Sequence, residues 1–512
     1  MDIRDFIVVV GLALLTTWGI QYFFLNRAKK NNIEQSFIAP TVTEEFKPLN
    51  LEVDFIDSKK QEKTILSDIE TDWGKVTFST EAASLESIEF NHPVSRKKDV
   101  IRTVFPVSST EREDRCFLIG LAKESPYYYQ LIDQKDSEES VQLLYEVTFN
   151  GNKIAKTFTI YKKKHKIDLL LTIFPQEGTV DGLEARIFYP SPIMPAIAES
   201  DLISGIIINR AGTFEMKDRK KIDTQRGWFN PTLFGAGNRY FVHALVEDTN
   251  SFSQRTYYKL EGHEKIYSIL EGPTVKEPTN WMMSFYFGPK EHNAMIDVDG
   301  RLEKTLAYSG LLAPISKFLL QILKWLYSFL HNYGLAIIIL TCIVRLLLLP
   351  FMLHGTQKID QQREIQKKIA YIQQKYKSDP ARVAEERKEL IRKYGMPGIG
   401  GCLPSLLQLP IFFALSRVLN SAIELYQAPM LWIPDLSGKD PYYILPLLVA
   451  SSLLAQAMTQ SDAQQRTSGL VIALIFGAFS INFSAGLALY IFISTSLGVL
   501  QTRMMKHLKF LK

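Results

Sequence analysis

The run Ile337-Ile-Ile-Leu-Thr-Cys-Ile-Val-Arg345-Leu-Leu-Leu-Leu-Pro350 is apolar enough for the middle of a membrane span, yet it carries an arginine. A cation at that depth costs roughly 2.5–3.5 kcal/mol. Snorkelling to the near edge would need a reach of ~12 Å over eight residues, longer than the side chain. Arg345 therefore needs polar surroundings inside a helix bundle. Two arrangements meet that need. One is a wet cavity whose positive wall attracts an acidic or polar segment, and the other is a clamp on backbone carbonyls. The later spans supply uncharged polar groups, among them Asn420, Ser452 and Gln456, and one acid, Glu424. Arg417 is a second cation in an apolar run, seven residues before Glu424. That spacing permits an intramembrane pair, and outward snorkelling is the alternative.

Enzyme motifs are missing. There is no P-loop and no His-Glu-x-x-His, and Gly235-Ala-Gly237 continues as Asn-Arg-Tyr, not as a dinucleotide fingerprint. The eight histidines are scattered, and Cys116, Cys342 and Cys402 have no metal-type spacing. No catalytic residue, metal or cofactor is assigned. A net charge of +5 on 512 residues gives no global field for nucleic acid.

The elements around these residues fall into blocks. Residues 1–27 read as an N-terminal transmembrane anchor, with Phe6 to Leu25 long enough to cross and no small-x-small cleavage site after it. Residues 28–50 read as a linker. Residues 51–308 read as a large antiparallel β-sandwich. Asn150-Gly151-Asn152 between alternating runs is a hairpin turn, Lys166–Phe174 is a strand, and shorter strands are expected at Gly205–Asn209, Tyr257–Leu260 and Trp281–Phe287. Residues 309–331 change to helical spacing, with Lys317 and Lys324 on one polar edge. They predict an amphipathic helix on a membrane surface, or else one packed on the sandwich. Five spans close the chain at about 333–353, 403–426, 442–459, 469–483 and 486–502. Several are short for a ~30 Å hydrocarbon core. The fold class is thus a multi-domain membrane protein, with an all-α six-span membrane part and a β-sandwich between its first two spans.

Between spans lies a charged segment, 355–398. Ile365, Ile369, Ile372 and Tyr376 form one thin apolar stripe, and Leu390 with Tyr394 belongs to another after the turn Ser378-Asp379-Pro380. A helical hairpin follows, either a solvated face or a docking arm. From His354 to Pro404 there are eleven Lys or Arg against six Asp or Glu, and the tail carries Arg503, Lys506, Lys509 and Lys512. Basic loops mark the cytoplasmic side. Both termini are then cytoplasmic and the β-rich domain lies outside, although Arg27, Lys29 and Lys30 after the first span run against that rule.

The C-terminal half resembles a known family. Tyr333-Gly-Leu-Ala-Ile-Ile-Ile-Leu-Thr-Cys-Ile-Val-Arg345 is similar to the span of the YidC membrane protein insertases that carries their groove arginine. Gly400-Gly-Cys-Leu-Pro-Ser-Leu-Leu-Gln-Leu-Pro-Ile-Phe-Phe-Ala-Leu415, Glu424-Leu-Tyr-Gln-Ala-Pro429, Trp432-Ile-Pro-Asp-Leu436, Asp440-Pro-Tyr-Tyr-Ile-Leu-Pro446 and Gly486-Leu-Ala-Leu-Tyr490 follow in the family's order. The resemblance covers about residues 309–505. It implies a five-helix core around a hydrophilic groove, with Arg345, Thr341, Gln408, Phe412 and Tyr490 at groove positions, and a cytoplasmic hairpin that receives substrates. It also implies an outer supersandwich similar to sugar mutarotases, and an address in the bacterial inner membrane with the large domain in the periplasm. The implied partners are nascent membrane proteins, the lipid bilayer and the Sec translocon. A short basic tail gives weak support for the ribosome. Neither a specific nucleic acid nor a small-molecule substrate is implied. Ile491 stands where a second aromatic is common, and Tyr394-Gly-Met-Pro-Gly-Ile lacks the usual Asn-Pro. The competing expectations are a small-anion transporter using Arg345, which would favour an internal repeat, and a carbohydrate-active enzyme on a membrane anchor.

Overall fold

The computed structural model describes residues 64–91, 101–104, 115–121, 125–176, 183–192, 203–208, 211–261, 265–306, 312–377, 379–394, 403–460 and 463–510. The expected N-terminal anchor, the linker and the Gly400–Cys402 end of the second signature lie outside the described residues.

The β-rich part is antiparallel at every named strand pairing. Its largest sheet has nine strands. They run in the order Phe214–Asp218, Ser204–Ile208, Leu233–Gly237, Phe241–Asp248, Thr279–Pro289, Lys166–Phe174, Asn152–Tyr161, Ser140–Phe149 and Gln130–Asp136. A five-stranded and a four-stranded sheet complete it. Val141, Leu143, Tyr145, Ile154, Phe158 and Ile160 alternate inward along two neighbouring strands and share one apolar core. The predicted hairpin turn is present. Phe149 pairs with Asn152, while Asn150 and Gly151 take φ of 48° and 77°, the left-handed pair that a two-residue hairpin requires. The predicted strands at 205–209, 257–260 and 281–287 are all found, each somewhat longer or shifted by a residue.

Eight helices are described. The first, α1 (His292–Ile296), follows the last strand. It leads to α2 (Ala313–Leu330), α3 (Tyr333–Lys375), α4 (Pro380–Tyr394), α5 (Leu403–Ser421), α6 (Ile444–Met458), α7 (Ala463–Phe479) and α8 (Ala485–Phe510). Among the described residues, two segments are long and apolar enough to cross a membrane, Tyr333–Pro350 of α3 and Ala485–Met504 of α8. Ile411–Ser421, Ile444–Met458 and Arg466–Asn482 are apolar but shorter.

Helix α2 packs on the protein, chiefly against α3 and α5. Leu319, Leu320, Leu323 and Leu326 are buried against the helix core, each worth ~1.5–3 kcal/mol. Phe318, Trp325 and Phe329 lie on the outside, 58–66% exposed. Aromatic side chains exposed along a helix of a membrane protein suit the lipid interface. The polar edge is tied down: Lys317 pairs with Glu303, and Lys324 lies 3.3 Å from Glu291 and 2.6 Å from Glu424.

The span expected at about 333–353 and the first arm of the hairpin form one continuous helix. Helix α3 runs for 43 residues through Pro350 and becomes the first arm. The residues after Gly355 are mainly Gln, Lys, Arg, Glu and Ile, which sustain a helix. The predicted turn follows, and Asp379 Oδ1 caps α4 by accepting from Arg382 N at 3.2 Å. In the seam Ile372 is buried, Ile369, Tyr376 and Leu390 are half-buried, and the Arg382 guanidinium sits 5.4 Å over the Tyr376 ring. The side chains of Ile365 and Tyr394 lie outside the described residues.

Candidate functional site

The lower signatures of the sequence are capping devices. Asp440 ends a loop by accepting from Leu445 N at 2.6 Å and Tyr442 N at 3.1 Å, so it starts α6, and it also takes the Trp432 indole at 3.2 Å. Asp435 accepts from Gln427 N at 3.0 Å and Ser437 N at 2.8 Å, which folds the preceding turn. These turns hold α5, α6 and α8 in place around α3.

Arg345 lies on the α3 face turned to α8. It is half-buried, and its Nη2 donates to Ser494 O at 2.6 Å and to Ser494 Oγ at 3.2 Å. Gly498, one turn further along α8, makes the approach possible, because a Cβ there would stand 3.2 Å from Nη2. The neighbouring Leu346 and Leu347 are 66% and 68% exposed. The carbonyl clamp foreseen for Arg345 is therefore real on one side of the guanidinium. The residue as a whole stays half-buried.

Tyr490 is one turn before Ser494, almost fully buried, with its ring 6.1 Å from that of half-buried Phe412 on α5. The structure thus brings Arg345 to α8 and sets Phe412 beside Tyr490 on the facing surfaces. Thr341 is different. It is 1% exposed, and its hydroxyl donates to Ile337 O of its own helix at 2.7 Å. Gln408 falls within α5, but its side chain lies outside the described residues. Ser452 is buried and back-bonded to Val449 O at 2.9 Å, and Gln456 is half-buried one turn on.

The Arg417–Glu424 pairing is not formed. Helix α5 ends at Ser421 and Glu424 sits in a 3₁₀ turn, so the seven-residue spacing no longer puts the two on one face. Glu424 goes to Lys324 of α2 instead. Burial alone would lower the Lys324 pKa, but Glu424 and then Glu291 carry it above the ordinary lysine value. Arg417 is exposed and lines a cavity of about 570 Å³ between the β-rich domain and the helix ends. Asn420 is the knot at that junction. Its carbonyl accepts from Arg239 Nε, its Oδ1 accepts from Ser484 Oγ at 2.9 Å, and its Nδ2 lies 3.5 Å from Ser416 Oγ.

Sequence reasoning missed Ser494 and Gly498. Their signal was present as two small residues four apart on the last span, which lets another helix or a long side chain come close. It also missed Lys324 as the partner of Glu424, because that contact joins elements 100 residues apart in the chain.

The model of the family described as 60Kd inner membrane protein matches residues 325–511, the part that holds Arg345, Phe412, Tyr490 and Ser494. The Membrane protein insertase YidC of Syntrophus aciditrophicus is 31% identical over 371 residues, 70% of this chain and 68% of that protein. The Membrane protein insertase YidC of Wolinella succinogenes is 32% identical over 383 residues, 72% of this chain and 67% of that protein. A crystal structure described as an active YidC insertase with the first transmembrane domain resolved aligns over 86% of this chain and 93% of that one, at 20% identity and a TM-score of 0.36. On the sequence matches, the chain belongs to the YidC family and is a membrane protein insertase.

Proposed function

We propose that the insertase receives a nascent membrane protein against the surface shared by α3, α5 and α8, and that Arg345 holds the short polar or acidic flank of the entering segment. The supporting observation is the guanidinium itself: fixed by Ser494 at one edge, half-buried, and next to outward-facing Leu346 and Leu347. A flank held there avoids the larger cost of an unpaired charge in bare lipid. The apolar segment then slides along the leucine face into the bilayer, where burial is worth ~25 cal/mol per Å². The membrane potential draws an acidic flank outward at about 2.3 kcal/mol per charge per 100 mV.

In this reading the groove is lined by Arg345, Thr341, Gln408, Phe412 and Tyr490. Thr341 contributes polarity only if its hydroxyl leaves Ile337 O. The membrane part has six spans, the anchor in residues 1–27 and five in residues 332–512. The β-rich domain, residues 51–308, is a periplasmic supersandwich, and both termini are cytoplasmic. Helices as short as α6, 15 residues or ~22 Å, thin the bilayer around the core and shorten the path of the flank. The hairpin seam of Ile365, Ile369, Ile372, Tyr376, Leu390 and Tyr394 is the docking arm for incoming substrate. The Sec translocon is a working partner, and the basic tail gives the ribosome a modest foothold.

The test is photo-crosslinking of a stalled nascent membrane protein to probes placed at Phe412 and at Leu447, a 70% exposed residue of α6. Adducts are expected at Phe412 in excess of Leu447. Equal labelling at the two positions sinks the assignment of the path.

A further inference from the structure

The cavity beneath the β-rich domain is unusually rich in positive charge. Arg239, Lys290, Arg417 and Lys439 line it, against one carboxylate, Asp218. Asp218 itself is 3.4 Å from Lys221. Arg239 Nε donates to the Asn420 carbonyl, and Lys439 Nζ lies 3.3 Å from Asn482 Oδ1. Lys290 is half-buried, and burial lowers its pKa to about 8. Like charges gathered around one half-open cavity repel, most strongly where burial excludes water, as at Lys290. An anion in the cavity relieves it. Ser204, Ser416, Ser421 and Ser484 add hydroxyl groups to the same wall.

The level of the cavity narrows the choice of anion. It lies where α5 ends and α8 begins, at the helix ends that meet the β-rich domain. Tyr442 and Tyr443, 67% and 58% exposed, stand at the start of α6, a few residues beyond Lys439. Exposed tyrosines at the end of an apolar helix mark the headgroup plane of a bilayer. Leu306 and Met216 put apolar surface on the same wall, and Met216 is 46% exposed. Phosphate alone has no use for such surface, whereas a lipid carries both parts.

We infer that this cavity binds the phosphodiester headgroup of an anionic phospholipid, as a site separate from Arg345 and its clamp. The bound lipid fastens the β-rich domain to the helix ends. The headgroup chemistry holds whichever leaflet the domain faces; that this is the outer leaflet rests on the proposed topology.

The experiment is native mass spectrometry of the full-length chain in detergent, titrated with phosphatidylglycerol or phosphatidylcholine. Phosphatidylglycerol is expected to bind in preference. The pair Arg417→Gln with Lys290→Gln should weaken it about tenfold, the loss of two partly exposed charge contacts. The pair Arg417→Lys with Lys290→Arg should retain it, which separates charge from damage to the fold, and Lys135→Gln on the far domain surface should change nothing. Millimolar inorganic phosphate should not displace the lipid. Equal binding by the neutral pair overturns the site, and displacement by inorganic phosphate overturns the lipid assignment. Insertion is assayed in parallel: Arg345→Ala should lose insertion and keep the lipid, so a failure of the proposed function is told apart from a failure of this site.

Discussion

Arg345 donates through Nη2 to Ser494 O and Ser494 Oγ, and that contact between α3 and α8 makes its role testable. Arg345→Ala should lower insertion of substrates with acidic flanks at least tenfold in a vesicle assay, and Arg345→Lys should restore part of it, because an ammonium keeps charge and loses the fork. Equal loss with Lys would move the weight from charge to geometry. Gly498→Val should also impair insertion, since its side chain intrudes where Nη2 lies, while the thermal midpoint changes by only the strain of one crowded contact, about 1–3 kcal/mol. A collapse of folding with unchanged activity per folded molecule would count against the clamp. A second residue gives a pH signature. His243 is 1% exposed, its Nδ1 lies 2.9 Å from Pro190 O, and burial lowers its pKa to about 3. Folded chains keep it neutral while unfolded chains protonate it below its ordinary value near 6.5. Its contribution is therefore complete above pH ~6.5 and erodes as the pH falls towards 3, by up to about 1.4 kcal/mol per unit. Thermal melts from pH 7 to 4 should show a shallower decline in His243→Gln than in the parent, and parallel curves would refute it. Arg345 could be read from the sequence because a lone cation in an apolar run has few explanations. Ser494 was harder to read, because its acceptor is a backbone carbonyl and its one trace was the small-residue spacing to Gly498.

Among the elements, α2 shows how a hydrophobic pattern can hide two functions. Its apolar residues follow one helical period, so periodicity alone left open whether they faced a membrane surface or the protein. The fold gives the leucines to the core and leaves Phe318, Trp325 and Phe329 exposed. Lys324 then stitches α2 to the turn after α5 and to the end of the last strand. Glu424→Gln should cost about 1–3 kcal/mol, because it leaves a partly buried ammonium with one carboxylate. Glu424→Leu with Lys324→Met should recover much of that stability, as read by the melting midpoint in detergent. The expectation of an Arg417–Glu424 pair failed for a plain reason: it assumed that α5 continued past Ser421, and helix ends are the least legible feature of a sequence. The hairpin turn at Asn150-Gly151 was legible because only a left-handed pair of residues closes two strands so tightly.

At the scale of the molecule, the β-rich domain and the helices share packing. Ile423 and Tyr426 of the turn after α5 join the sandwich core, with the Tyr426 ring 5.0 Å from Tyr240. Ile206, Ile208, Leu233 and Val242 of the sheet belong to the core that the helices build. Deleting most of residues 60–300 should leave insertion per folded molecule largely intact, since Arg345, Ser494, Phe412 and Tyr490 all lie in the helices. The same deletion should lower yield and melting temperature, because it uncovers Ile423 and Tyr426. Complete loss of activity in well-folded protein would place the work in the wrong half. The division into blocks was plain in the composition, whereas this mutual burial joins residues far apart in sequence and left no local trace. The length of α3 carries a further mechanical meaning. From Pro350 to its C-terminal tip it extends 25 residues, ~38 Å, while Arg345 is five residues, ~8 Å, on the other side. Proline lacks the amide that would brace that point, which makes it the natural fulcrum. A swing of about 5° there carries the tip ~3 Å and the guanidinium less than ~1 Å. In the proposed function, this would let the arm sweep for cargo while the cation keeps its grip on Ser494.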